Sequence, residues 1–341
     1  MIALDGSQGE GGGQILRSSL ALSILTKQPF KLTNIRANRP KPGLAAQHLA
    51  SVRAAATICG GTYKGGSLGS RELYFEPGTV KSGNYTIAIG TAGATALVLH
   101  TVYLPLLLRG EGVSTLTITG GTHVLAAPCF HYLQTTWAGF LAKLGASVEV
   151  ELVRPGFYPR GGGEIRATIA PCATLKPLHL TACPELTTAG GFSAGADLPD
   201  DVARKQARRM GERLKRVDVE SHLPLETWAN GPGSVAAIVF RQLTPAPLFA
   251  ALGARGRPAE AVADEAADAA IAFRETKSPV DPHAADQLVL PLAFAAGAST
   301  FRTSEVTRHL LTNVGTVRAF VGREIECDGV EGLPGTVRVG V

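Results

Sequence analysis

Four stretches of this 341-residue chain carry side chains able to do chemistry, and each suits an anion. In Ser304 to Gly322, Thr307 is a good N-cap, and Leu310, Val314, Val317 and Val321 follow at helical spacing. His309 therefore falls in the first turn of a helix. Open amides and the positive end of the helix dipole favour an uncharged imidazole there and also attract phosphate. An uncharged imidazole is a nucleophile, whereas an imidazolium is not. A solvated or capping histidine would occupy the same position, so His309 alone does not decide the matter.

The second stretch, DGSQGEGGGQ from Asp5 to Gln14, joins a short strand at Met1–Leu4 to a helix running to about Leu25. It lacks the Lys-Ser/Thr of a P-loop and does not fit the G-x-G-x-x-G register. Its glycines still let backbone amides approach an anion, and Glu10 among them could hold a divalent metal, Mg or Mn, bridging phosphate oxygens. A tight turn with a solvated Glu10 is the competing reading. Arg17, one turn into the helix, faces the same side. The third stretch packs Arg36, Arg39 and Lys41 into six residues before a helix that Pro42 opens and that carries Gln47 and His48. Guanidinium groups that converge grip phosphate bidentately, although a basic loop can also be solvated surface. In the fourth, Asp281 caps a helix with Pro282 in its first position, which puts His283, Asp286 and Gln287 on one face. Core hydrogen bonds or an adenine or ribose would satisfy that trio equally well.

These residues need a scaffold, and the pattern around them repeats. A glycine turn and apolar helix begin near residues 6, 88 and 281, each followed by a second helix and a strand. The second spacing exceeds the first by about 110 residues, as an insertion in the third unit would produce. His179 to about Arg274 fills that role, with a basic helix (Asp200–Val217), a strand pair (His222–Trp228 and Val235–Leu243) and an alanine-rich helix (Pro258–Phe273). The expected fold is α+β: a body of three two-helix, four-stranded units over residues 1–178 and 276–341, with a smaller α/β domain at 179–275. The second helix of unit two, within Ala127–Val150, reads as broken by glycine. Lys205, Arg209, Arg213 and Arg216 form a stripe on the basic helix that reads as a solvated face. The triplet within Arg160–Glu164 and Gly120-Gly121-Thr122 read mainly as turns.

Composition narrows the function classes. Aromatic residues are 6% of the chain, too few for base-stacking platforms, and 33 Lys and Arg against 28 Asp and Glu suit a polyanionic partner without demanding one. Five cysteines with no C-x-x-C pair argue against a disulfide framework or structural zinc and fit a reducing cytoplasm. The N-terminus has no signal-peptide pattern. The most apolar run, Leu97–Leu108, is too short and too interrupted to cross a membrane.

Taken together, DGSQGEGGGQILRS, RANRPKPGLAAQHL, GFYPRGGGE, ADQLVLPLA and the segment around His309 resemble the RNA 3'-terminal phosphate cyclase family, in the family's order and over nearly the whole chain. The resemblance implies the three-unit body with an insert, and ATP and an RNA bearing a 3'-terminal phosphate as reaction partners. It implies that His309 attacks the α-phosphate of ATP and carries AMP. AMP passes to the RNA phosphate, and the 2'-hydroxyl displaces it to leave a 2',3'-cyclic phosphate. It further implies Glu10 as the metal contact, and Arg17, Arg36, Arg39, Gln47 and His48 as contacts to anions and the RNA end. His100, Pro128, His283, Ala284, Ala285, Asp286 and Gln287 would hold the nucleotide. The chain departs from the family where members commonly carry Tyr at His283, Gln at His100, and Asp or Asn at His123. Two alternatives share parts of this pattern: a non-catalytic relative acting in ribosomal RNA processing, which would lack the nucleophile, and an enolpyruvyl-type transferase, which would need neither His309 nor the insert.

Overall fold

Short strands that alternate buried and open residues need cover on one face only, and this chain supplies it with helices, of which Gln14–Thr26, Ala46–Cys59 and Thr95–Arg109 are buried on nearly every side. The computed structural model describes residues 1–340. Unit one runs β1 (Ile2–Asp5), α1 (Gln14–Thr26), β2 (Phe30–Thr33), α2 (Ala46–Cys59), β3 (Thr62–Lys64) and β4 (Leu73–Glu76). Unit two runs β5 (Asn84–Ala88), α3 (Thr95–Arg109), β6 (Ser114–Gly120), a second helix, β7 (Val148–Arg154) and β8 (Gly163–Ile169). That second helix is α4 (Phe130–Tyr132), a π-helical turn (Leu133–Trp137) and α5 (Ala138–Lys143) in direct succession. It passes through Gly139 without a break, contrary to the sequence expectation; its irregularity is the π turn, and it stops before Gly145, which has φ +84°.

A strand β9 (His179–Leu180) precedes the inserted elements. These are β10 (Thr188–Ala196), α6 (Asp200–Lys215), β11 (Glu220–Ser221), β12 (Leu225–Trp228), β13 (Gly233–Val239), β14 (Leu248–Leu252) and α7 (Ala259–Thr276). Then follow α8 (Pro282–Leu292), β15 (Ser299–Thr303), α9 (Arg308–Phe320), β16 (Ile325–Asp328) and β17 (Gly335–Val339). The body sheets are ordered β1-β2-β4-β3, β5-β6-β8-β7 and β9-β15-β17-β16. In each, the first two strands pair in parallel and the later pairs are antiparallel. The repeat is therefore βαβαββ three times. His179–Leu180, expected at the head of the insert, pairs with β15 and forms the first strand of unit three. The extra elements fall between that strand and α8.

In the body the sheets lie outside and the helices inside. Along β6, β15 and β17 every second residue is buried, while α1 packs against α2, α3 and α9, and α8 packs on α9. One apolar core spans all three units, and a second lies between the inserted sheet and its helices α6 and α7. The two strands expected to pair in the insert instead flank β10, β12 in parallel and β13 antiparallel. The stripe expected to be solvated is partly spent: Arg209 and Arg213 both hold Asp264 of α7, Arg213 also reaches Asp268, and Lys205 pairs with Asp201. Two helices that would otherwise present bare charge to each other are clamped together. All five cysteines are free, and no helix among the described residues is long and apolar enough to cross a membrane.

Candidate active site

The helix starting at Arg308 is capped as the sequence predicts, with the Thr307 hydroxyl accepting from the Leu310 amide at 3.0 Å. Capping places His309 in the first turn, its side chain 49% exposed. The contact of α1 with α9 then brings the glycine loop to it. Nδ1 of His309 lies 2.7 Å from the Gln14 side-chain oxygen, and 3.9 Å from Oε1 of Glu10. A carbonyl oxygen accepts only from a ring N–H, so this bond leaves the lone pair on Nε2. Burial lowers the His309 pKa most; Glu10 opposes this, and Arg17, Arg39 and His283 lower it further. The ring is held neutral.

The Glu10 side chain is 6% exposed, a buried carboxylate whose Oε2 ion-pairs with Arg39. Its amide donates to the Thr312 hydroxyl on α9 at 3.0 Å. This closeness depends on glycine. Gly9 has φ +59°, and a Cβ there would stand 2.1 Å from the Thr312 hydroxyl. A Cβ on Gly13 would stand 2.1 Å from Nε2 of His48. Buried His48 has its pKa lowered to about 3, by desolvation first and then by Arg17, Arg36 and Arg39, and its Nδ1 has no partner. It is a neutral imidazole among cations. Arg17 is brought down to about 10 by burial, against the pull of Glu10 and Asp286. The arginine loop does not open α2 at Pro42 as expected. Gly43, at φ +84°, turns the chain, Ala45 is extended, and the helix begins at Ala46.

Two of the expected anion contacts have structural duties. Arg36, itself at φ +54°, donates to the carbonyls of Lys41 and Gly43 at 3.0 and 2.8 Å, so it shapes the loop and lends the site its field. Gln47 uses its carbonyl oxygen on the Ala94 amide at 2.9 Å, capping α3 across the boundary between units one and two.

Of the residues expected at a nucleotide, Asp281 does cap α8, accepting from the amides of His283 and Ala284 and from the Tyr132 hydroxyl, all at 3.0 Å. The Ala285 amide bonds to the Asp281 carbonyl, so neither Ala284 nor Ala285 has a free amide. His283 is exposed, and its ring meets Tyr132 edge-on with centroids 6.2 Å apart. Pro128 stands half-buried just before α4. Asp286 is pushed up to about 8, chiefly by burial, although Arg17 opposes the shift. His100 lies against Trp137, and burial, then Arg17, lowers its pKa to about 3. Its Nε2 and the side-chain oxygen of Gln287 are buried without partners. Gln287 and Trp137 line one small apolar crevice, and both orphaned atoms keep hydrogen-bonding capacity that the protein itself leaves unused. The third departure, His123, lies elsewhere. It bonds His131 at 3.1 Å and stacks on Phe157 where unit two meets the insert.

Among the described residues no three His, Cys, Asp or Glu side chains gather as a metal cage. Glu10, the carboxylate of the glycine loop, is held by Arg39 and as a lone oxygen donor fits a hard cation that takes its remaining ligands from phosphate and water. Gln14, Thr312 and Asn313 were not foreseen as site residues. Asn313 accepts from Ser18 of α1 at 2.6 Å and donates to the Asp286 carbonyl at 2.6 Å, tying α1, α8 and α9 together. For Thr312 and Asn313 the signal was present, since they stand at i+3 and i+4 from His309 on one helix face.

A thrice-repeated βαβαββ body that gathers a neutral imidazole, a buried carboxylate and several guanidiniums around a glycine loop defines a class of α+β protein equipped for chemistry on phosphates. The particular family is shown by comparison: residues 8–327 match the sequence model of RNA 3'-terminal phosphate cyclase, and the chain belongs to that family. It is 43% identical to the RNA 3'-terminal phosphate cyclase of Caldivirga maquilingensis over 333 residues, covering 96% of this chain and 94% of the relative. The cyclase of that name from Salmonella typhimurium is 41% identical over 331 residues, 97% of this chain and 96% of the relative. The one from Ralstonia nicotianae is 44% identical over 323 residues, 94% and 91%.

Proposed function

We propose that this enzyme converts an RNA 3'-terminal phosphate into a 2',3'-cyclic phosphodiester at the expense of ATP, through AMP carried on His309. The observation that carries the reading is the tethered ring: Nδ1 is engaged by Gln14, and Nε2 is left as the free nitrogen of a half-exposed imidazole.

His309 attacks the α-phosphate through Nε2; a P–N bond forms and pyrophosphate leaves. The ring becomes cationic on phosphorylation, and the Gln14 oxygen, already on Nδ1–H, stabilises that charge. An oxygen of the RNA 3'-phosphate then attacks the same phosphorus. The P–N bond breaks, His309 regains its neutral form, and the RNA end becomes an anhydride with AMP. The adjacent 2'-hydroxyl attacks the terminal phosphorus, loses its proton and expels AMP. Adenylation is needed because a bare phosphate oxygen is a poor leaving group. The last step is intramolecular, where effective molarities reach about 10⁵ to 10⁸ M. It also restricts the reaction to RNA, since DNA lacks the hydroxyl.

Arg17, Arg39 and neutral His48 are suited to gripping phosphate oxygens, with Arg36 holding the loop and Gln47 joining the units. Asp286, Gln287, His100, His283 and Pro128 are suited to the nucleoside, His283 by stacking. A divalent metal on Glu10 would neutralise phosphate charge during both transfers. The test is label transfer: ATP labelled in its α-phosphate is offered to the enzyme, followed by RNA with a 3'-phosphate. Label moving from protein to RNA and then appearing as free AMP supports the reading; RNA that cyclises without passing through labelled protein overturns it.

A further inference from the structure

Lys41 and Arg71 are exposed cations on separate loops, and the site described above uses neither side chain. Neither has a carboxylate partner among the described residues: Glu72, next to Arg71, is taken by Lys31 at 3.0 Å, and Glu10 by Arg39. Lys41 stands between Pro40 and Pro42, whose rings restrict the backbone on either side of it. The Arg36 guanidinium donates to its carbonyl at 3.0 Å and to that of Gly43 at 2.8 Å. That is more order than a solvated lysine needs, and order set in advance lowers the cost of binding.

Hydrogen bonds join both cations to the active site. Arg71 lies on the loop between β3 and β4, where the Arg71 and Ser70 carbonyls accept from the amides of Ile35 and Leu44, each at 3.0 Å. The Gly69 amide donates in return to the Leu44 carbonyl at 2.8 Å. The two loops fit too closely for a side chain at Gly43, where φ is +84° and a Cβ would stand 2.2 Å from the Gly69 carbonyl oxygen. On its other flank the arginine loop lies on the glycine loop. The Asn38 amide donates to the Gly11 carbonyl at 3.3 Å, and the Asn38 side-chain amide donates to the Ser7 carbonyl at 3.2 Å. Arg39 follows, paired with Glu10, whose other oxygen is 3.9 Å from Nδ1 of His309. Four residues separate Ile35 from Arg39, at most about 14 Å of chain. The Arg39 amide donates to the Arg36 carbonyl at 3.1 Å and folds that span shorter still. Lys41 and Arg71 therefore stand on braced loops that carry positive charge outward from the nucleophile.

We infer that Lys41 and Arg71 form a subsite for the RNA backbone, binding internucleotide phosphate just 5' of the terminal nucleotide. A terminal phosphate at Arg17, Arg39 and His48 accounts for one charge of the RNA, and each nucleotide before it brings another. A chain with 6% aromatic residues has little with which to stack bases, so its hold on the strand falls to cations. Such contacts position the RNA without reading its sequence. The inference rests on the RNA-end reading above and concerns binding, not either phosphoryl transfer.

The test compares Lys41→Ala, Arg71→Ala and Arg71→Lys with the unaltered enzyme on an RNA of about ten nucleotides ending in a 3'-phosphate. The alanine variants keep the loops, which are joined through backbone atoms at both positions. Each should raise KM about fivefold at low salt, the upper range for one exposed ion pair. The slope of log KM against log salt should become shallower by about 0.7 for each cation removed. Turnover and self-labelling by ATP should be unchanged, and Arg71→Lys should restore most of the affinity. Matched RNAs then carry a single uncharged methylphosphonate linkage at successive positions from the 3' end, all with 2'-methoxy sugars upstream of the terminal ribose. One linkage near that end should reproduce the loss seen in Arg71→Ala and add nothing to it. Unchanged KM and salt slope, loss of self-labelling in step with cyclisation, or additive losses at every linkage would overturn the subsite. An unaltered enzyme that self-labels yet acts on none of these RNAs would instead overturn the RNA-end reading.

Discussion

Replacing Gln14 by methionine removes one acceptor while keeping the length of a side chain that is buried where α1 starts. In the structure that acceptor is 2.7 Å from Nδ1 of His309 and holds the ring with Nε2 free. A partly buried hydrogen bond between neutral groups contributes about 1 kcal/mol net. Its loss lets the other tautomer and other ring orientations compete, and 1.36 kcal/mol is tenfold in rate. The expected slowing of self-labelling is thus about fivefold from orientation alone, with ATP affinity little changed. Gln14→Glu is the complementary probe. A carboxylate on Nδ1–H favours the protonated ring, so the His309 pKa rises and the acid limb of the labelling rate moves to higher pH. Single-turnover labelling with ATP carrying α-label, followed across pH, reads both effects. If Gln14→Met labels at the unaltered rate and Gln14→Glu leaves the limb in place, the tether plays no part in activating His309.

Further outcomes follow from the same geometry. The His309 pKa is lowered, so its neutral form persists as pH falls until that depressed pKa is crossed. The acid limb of self-labelling should lie below the ordinary imidazole value of about 6.5. Arg17→Met removes a cation that lowers this pKa, and should move the limb upward in the same titration. Arg39→Ala should impair cyclisation of the RNA end more than self-labelling, measured as separate steps; equal loss in both would place Arg39 at the nucleotide instead. Gly13→Ala drives a methyl into His48 and the end of the Arg17 side chain without backbone strain, because Gly13 has φ −92°. Activity should fall about tenfold or more while the melting temperature shifts by only a few degrees, checked by activity assay and thermal unfolding.

The sequence made the repeat legible because each unit opens with a glycine turn and an apolar helix. It misplaced His179–Leu180 because a two-residue strand carries no periodic signal, and its identity comes from pairing with β15. Gly139 misled for the opposite reason: packing against Pro245 of the insert fills its place in a continuous helix, and packing overrides propensity. At the site, capping chemistry located His309 and Asp281 from local residues alone. What could not be read was the division of labour among the polar groups. Whether Arg36 faces a ligand or the carbonyls of its own loop depends on a left-handed residue and a turn at Gly43. Gln47 spends its oxygen on a helix end in the next unit, 47 residues away. Gln14 and His309 are 295 residues apart, and only the packing of α1 on α9 introduces them.

The most direct test of the central claim is the fate of the α-label after the protein is denatured. The unaltered enzyme, incubated with α-labelled ATP and unfolded in alkali, should retain label on one peptide containing His309, with the acid lability of a phosphorus–nitrogen bond. His309→Ala, folded by circular dichroism, should retain none. Label that survives in that variant would contradict the account.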